Sequence, residues 1–325
     1  VRKHTLVDHV SGLYPEITQF GYPKTGQQNA SCRIGVVEIA SRQTCWMKIP
    51  GDPRNHYLAR MDWAANSREI MVQQLNRDQN RNVVMLCKRH DGSVQRVLTE
   101  EDEAWVDAHN EMHWVHDGAA FTWVSDRNGW RQIHLVSRET SEITCLTPGE
   151  FDVVKLLRVD DSNQWVYFTA SPGAPTERYL YRVGLDGTEL ERLTPQSVTR
   201  GTHSYDISPN GRWAIVTSST FDEPPTTRLV SLPDHQEREV LEDNRALHEA
   251  VEALDRAPAE FFEVGIGDGV SLPARCVKPP HFDPKKKYPL LIYVYGEPAG
   301  QVVTDKWGGR SHLWHLMLAQ QGYVV

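Results

Sequence analysis

Ser204, in Gly201-Thr202-His203-Ser204, is the serine with the most suggestive neighbours in this sequence. A serine attacks a carbonyl when a base removes its proton and a sharp strand-to-helix turn exposes its oxygen, the arrangement that Gly-x-Ser-x-Gly encodes. That pentapeptide occurs nowhere in the 325 residues. Ser204 has the wrong spacing and is expected in a turn between strands, so it is not expected to be a nucleophile. His109, Glu111 and His113 form a second cluster of chemically capable groups. A zinc pair of the His-Glu-x-x-His kind needs both imidazoles on one helical face. Here the spacing differs and the flanking pattern reads as strand and loop, so no metal site is expected. The five cysteines, Cys32, Cys45, Cys87, Cys145 and Cys276, are odd in number and lack any Cys-x-x-Cys. Most are expected to be buried, inert thiols, with room for one structural disulfide.

The formal charge of −8 argues against a nucleic-acid surface, which needs clustered Lys and Arg. The basic run Lys285–Lys287, between Pro284 and Pro289, reads as a solvated turn. No apolar run reaches the roughly 18 residues of a membrane span, and no signal-peptide pattern is present. The composition, 39% hydrophobic and 24% charged, is that of a soluble globular protein. Val1 is not an initiator and Gly322-Tyr323-Val324-Val325 reads as half a strand, so both ends are expected to be arbitrary. The compartment stays open between cytoplasmic and periplasmic or secreted.

The elements that would position such residues follow a repeat. Ile49, Leu98, Leu146, Leu193 and Leu241 each close a unit after a polar turn, in steps of 49, 48, 47 and 48 residues. Within the units the pattern is β. Ile70–Leu75 returns as Val83–Cys87, Phe121–Ser125 as Trp130–Val136, Trp165–Ala170 as Tyr179–Val183, and Trp213–Ser218 as Thr227–Leu232. Asp91-Gly92, Asp186-Gly187 and Asn210-Gly211 supply the positive φ angles that tight hairpins need. A period in the forties with about four short strands per unit predicts propeller blades, since one sheet cannot cover both its faces alone. About five blades fit between residues 30 and 243. A β-sandwich with coincidental spacing is the alternative.

The texture then changes. A helix is expected over Asn244–Ala257, with Leu247, Val251 and Leu254 on one face. Strands Glu260–Ile266 and Leu272–Val277 follow, then a buried parallel strand Leu290–Tyr295, a helix Ser311–Gln321 and a further strand from Tyr323. Strand, helix, strand is the α/β signature.

The stretch from Pro279-Pro280-His281-Phe282-Asp283-Pro284 through Tyr288-Pro289-Leu290-Leu291-Ile292-Tyr293-Val294-Tyr295-Gly296-Glu297-Pro298 resembles the opening of the hydrolase domain in the prolyl oligopeptidase clan (serine peptidase family S9), closest to its dipeptidyl peptidase IV branch. Asp126-Arg127-Asn128-Gly129-Trp130-Arg131-Gln132-Ile133, Val240-Leu241-Glu242-Asp243-Asn244-Arg245-Ala246-Leu247 and Tyr22-Pro23-Lys24-Thr25-Gly26 resemble segments of the same branch. The resemblance implies a mainly β fold: a partial β-propeller, about five blades of eight, followed by the N-terminal part of an α/β-hydrolase domain. The domains are then a propeller over 1–243, a linker helix over 244–259 and the start of the hydrolase over 260–325, truncated before the nucleophile.

The activity implied is a serine exopeptidase that releases N-terminal dipeptides with proline or alanine second, without a cofactor. The catalytic Ser, Asp and His would lie beyond Val325, so the chain alone is expected to be inactive. Tyr295 aligns with the tyrosine that helps form the family's oxyanion hole. Residues alone would make it a core tyrosine with a satisfied hydroxyl. Glu297 departs from the family's Gly-Gly-Pro, and is expected to point to solvent or pair with a cation such as Arg310. The segment holding His109, Asn110 and Glu111 corresponds to one whose side chain faces the family's substrate cavity, the plainer alternative being a blade-edge loop. Val1–Pro23 corresponds to an insertion contributing to dimer contacts, which implies a homodimer; an ordinary blade strand is the other reading. Two further functions stay open: a non-catalytic propeller binding peptides or a partner protein, and a related acylaminoacyl peptidase or oligopeptidase.

Overall fold

The computed structural model describes residues 2–296 and 300–325. The chain divides into two compact units, Val1–Trp123 with Leu135–Ile143, and Val124–His134 with Thr144–Val325.

Strands β1 (Lys3–Asp8) and β2 (Glu16–Gly21) form a separate antiparallel hairpin, with Lys3 opposite Gly21 and Asp8 opposite Glu16. The hairpin joins no blade, which removes the blade-strand reading of Val1–Pro23. Strands β3 (Gly35–Val37) and β4 (Thr44–Trp46) form a second pair. Four sheets of four strands follow: β5 (His56–Trp63), β6 (Glu69–Asn76), β7 (Arg81–Lys88) and β8 (Val94–Glu101); β9 (Trp114–Val115), β10 (Ala120–Ser125), β11 (Gln132–Ser137) and β12 (Ile143–Cys145); β13 (Val153–Asp160), β14 (Trp165–Ala170), β15 (Tyr179–Gly184) and β16 (Glu191–Arg192); β17 (Thr202–Ile207), β18 (Trp213–Ser219), β19 (Thr226–Ser231) and β20 (Glu237–Glu242). Each sheet keeps its strands in chain order, the up-and-down form of a propeller blade.

Among the described residues the complete blades therefore number four, not five. The first expected unit is only the β3–β4 pair. Residues 24–33 are polar and lack the period-2 apolar pattern that would add strands there.

In the first unit both faces of one sheet are buried, as blade stacking requires. Neighbours along a strand point to opposite faces. Val84 and Leu86 of β7 join a core with Met71, Phe121 and Trp123, while Met85 and Cys87 join a second core with Met47, Ile70 and Val72. Gly92, in the expected Asp91-Gly92 turn, has φ +71, and a Cβ there would lie 2.2 Å from the Trp46 carbonyl oxygen. Glycine is the residue that satisfies both conditions.

In the second unit Tyr167, Leu180, Tyr205, Val216 and Leu232 form the core between β13–β16 and β17–β20. Helix α1 (Arg245–Glu252) ends five residues before the expected Ala257. Pro258 disfavours helical geometry just before it, and Arg256 is drawn to Asp222 at 3.1 Å and to the Val251 carbonyl at 3.4 Å. The N-cap is Asn244, at φ 49 and with no side-chain cap bond, and the carboxylate of Asp243 just before it accepts from Arg245 N at 2.9 Å. Strands β21 (Glu260–Gly267) and β22 (Val270–Cys276) pair as expected, and helix α2 (Gly309–Gln320) starts two residues early. Lys285–Lys287 are exposed in a turn held by Asp283, as expected.

Two expectations fail. Leu290–Tyr295 is not a buried strand: a single parallel bridge joins Leu290 to Val324, and the run is otherwise irregular and exposed. A central parallel strand needs neighbours on both edges and layers on both faces, and this chain brings one short neighbour. The cysteines are all free, and only Cys87 is fully buried. Cys45 and Cys145 lie in short terminal strands of their sheets, where cover is thin. Among the described residues no helix is long and apolar enough to cross a membrane.

Candidate functional site

Ser204 lies in strand β17, not in a turn. Its hydroxyl donates to the Thr217 carbonyl at 3.3 Å. The adjacent His203 is buried, bonded through Nδ1 to the Arg178 carbonyl oxygen at 2.9 Å and stacked on Tyr179. Successive strand residues point to opposite faces, so the pair cannot act as nucleophile and base. Burial lowers the His203 pKa.

In the first unit His109, Asn110 and Glu111 sit together on the loop between β8 and β9. The loop is fixed from below. Buried Gln73 donates to the His109 carbonyl at 3.0 Å and accepts from buried Asn82 at 3.0 Å. The His109 ring lies 4.7 Å from the Trp123 ring, whose Nε1 donates to Glu100 at 2.9 Å. Further along, His113 N donates to Thr122 Oγ1 at 3.1 Å. Asn110 is exposed, and Glu111 is half-buried. The loop thus presents polar side chains from a rigid base on the blade, which suits contact with a ligand backbone.

In the second unit Tyr295 is 54% exposed, and its hydroxyl makes no hydrogen bond to another described residue. The satisfied core tyrosine expected from residues alone is therefore not found among the described residues. Glu297, expected to point to solvent or to pair with Arg310, lies outside the described residues.

Sequence reasoning missed Asp305, which ties the segment after Tyr295 to the blades. Asp305 is 3% exposed. Its carboxylate accepts from Phe221 N at 2.7 Å and from Arg200 Nε at 3.2 Å. Its own N–H donates to the Thr176 carbonyl at 2.7 Å, and Thr202 Oγ1 donates to its carbonyl at 3.1 Å. The available signal was a lone acid between the apolar Val302-Val303 and Trp307.

Beside it, His312 of α2 is 1% exposed, packed on Phe221 and Trp307, with neither ring nitrogen bonded among the described residues. Burial, then the charges of Arg256 and Arg275, push its pKa down to about 4. Below an unfolded value near 6.5 the unfolded chain binds a proton that the folded chain refuses, so stability falls as pH drops from 6.5 towards 4. The full loss from this group is about 3 kcal/mol. Urea midpoints should drop between pH 7 and pH 4.5, and His312→Leu should flatten that slope. An unchanged slope in the variant would remove His312 as its source.

A profile of the dipeptidyl peptidase IV N-terminal region matches residues 1–225. The chain belongs to the dipeptidyl peptidase IV family. Within this family it is 28% identical over 332 residues to the probable dipeptidyl-aminopeptidase B of Botryotinia fuckeliana (strain B05.10), covering 96% of this chain and 35% of that protein. It is 29% identical over 313 residues to the inactive dipeptidyl peptidase 10 of Mus musculus, covering 90% of this chain and 38% of that protein. The crystal structure of Porphyromonas gingivalis dipeptidyl peptidase 4 superposes with a TM-score of 0.87 at 28% identity, over 100% of this chain and 45% of that one. The chain thus spans less than half the length of these dipeptidyl peptidase relatives. Its fold class is that of the family: a partial β-propeller followed by the N-terminal part of an α/β-hydrolase domain.

Proposed function

We propose that this chain is the propeller and opening hydrolase portion of a serine exopeptidase that removes dipeptides, with proline or alanine second, from peptide N-termini. The domain limits are 1–243 for the propeller, 244–259 for the linker helix and 260–325 for the start of the hydrolase. The observation that carries the reading is the family match over most of the propeller, joined to an exposed tyrosine, its hydroxyl without a hydrogen bond among the described residues, at the end of the Leu290–Tyr295 run.

In this account a serine beyond Val325 attacks the carbonyl after the second residue, and a histidine takes the serine proton and later gives it to the leaving amine. Tyr295 donates its hydroxyl to the oxygen on which negative charge develops. His109, Asn110 and Glu111 contribute to the substrate cavity. The β1–β2 hairpin, with Val10 and Leu13 each 92% exposed at its tip, serves homodimer contact. No cofactor takes part.

A second reading is a propeller that binds peptides or a partner protein without hydrolysis. It is favoured by one observation, that a relative of comparable identity is named inactive. The test is product analysis. The full-length protein containing this chain should release intact dipeptides from peptides with a free N-terminus and proline second, and acetylation of that terminus should stop it. Release of an acylated residue would point to an acylaminoacyl peptidase, and binding without any product to the second reading.

A further inference from the structure

A groove of about 790 Å³ opens where β13–β16 meet β17–β20 in the second unit. Tyr167 and Leu232, from the core shared by these two sheets, form part of its wall. Both sheets have all four strands within the chain. None of the lining residues belongs to the loop at 109–111 or to the 290–296 run.

Four arginines line the groove: Arg158, Arg182, Arg212 and Arg238. Two carboxylates, Asp160 and Asp234, share it. Their pairing leaves positive charge over. Arg182 lies 3.9 Å over the Trp165 ring and pairs with Glu191. Arg238 stands 3.8 Å from Asp234, which also accepts from Ser231 Oγ at 2.6 Å. Asp160 is engaged by Asn163, through its N at 3.1 Å and its Nδ2 at 2.9 Å. Arg158 gives one terminal nitrogen to the Pro209 carbonyl, but its buried Nε has no acceptor among the described residues. Arg212 is bonded through its main-chain N to Asn210, and its guanidinium has no hydrogen bond or ion pair among the described residues.

A buried N–H without an acceptor is unfavourable, and a guanidinium meets an oxyanion with a planar fork of donors. Two under-used guanidinium groups need more acceptor oxygens than one planar carboxylate offers. The free end of a phosphate or sulfate group supplies three. Trp213, partly exposed, lines the same groove.

We propose that this groove is an oxyanion site that binds a small molecule through a phosphate or sulfate group, with Arg158 and Arg212 as the principal donors. The test uses the pure 325-residue chain, with inorganic phosphate and inorganic sulfate as separate probes at low ionic strength. Binding is read by tryptophan fluorescence and calorimetry. Saturable binding of either anion supports the site, and the tighter of the two identifies the preferred group. Arg212→Gln should weaken it about tenfold, the worth of one charge-assisted hydrogen bond. Arg158→Gln should do the same. Because the Arg212 side chain is exposed, that variant should keep the parent's circular dichroism, and it decides the matter if Arg158→Gln fails to fold. No saturable signal, an equal response to chloride at matched ionic strength, or unchanged affinity in Arg212→Gln would overturn the proposal.

Discussion

In the full-length protein, Tyr295→Phe should lower kcat about 100- to 1,000-fold, the range seen when one oxyanion donor is lost. The substitution removes one oxygen and nothing else. In the 325-residue chain Tyr295 is exposed and its hydroxyl makes no hydrogen bond to another described residue, so no such bond is given up there. The stability of the 325-residue chain should therefore stay within about 0.5 kcal/mol, as for surface changes away from special features. The KM should move little, because the donor acts on charge that exists mainly in the transition state. A full kcat in the variant would take Tyr295 out of the mechanism and leave it a surface tyrosine.

Asp305→Ala should destabilise the chain by about 3 kcal/mol, read as a lower urea midpoint. The change orphans the buried Phe221 N–H, which now has a charged acceptor at 2.7 Å. Hydrogen bonds to charged groups are worth about 1.5–3 kcal/mol, and an unsatisfied buried donor carries a further cost. The Arg200 contact adds little, since that side chain is 56% exposed. Asp305→Asn keeps an acceptor for Phe221 and should lose less than the alanine variant. Equal losses in both would mean that the negative charge, not the acceptor, holds this junction.

The blades were readable from the sequence because their cause is local. Trp165–Ala170 and Tyr179–Val183 are short runs rich in aromatic and β-branched residues with turn residues between them, and β14 and β15 begin and end within one residue of those limits. The first unit misled because a closing apolar residue at Ile49 marks spacing, while strand number depends on residues 24–33, which carry no alternation. Leu290–Tyr295 has the composition of a central strand, but burial is conferred by neighbours, and composition cannot say whether they arrive. Asp305 stood out only as a lone acid in an apolar stretch, and its role was not legible for a related reason: its partner Phe221 lies 84 residues away, and no short-range pattern encodes such a contact. Of the candidate residues, 109–111 and 295 came from family resemblance. Their spacing alone gave only a loop and a core tyrosine, and the second of these is not what the structure contains.

On the proposed reading this chain carries one oxyanion donor of a serine exopeptidase, and the nucleophile belongs to the rest of the full-length protein. Purified 325-residue chain, incubated with Gly-Pro and Ala-Pro chromogenic substrates, should release no chromophore above background, while the full-length protein should turn both over. Turnover by the chain alone that a serine-directed inhibitor abolishes would contradict the account.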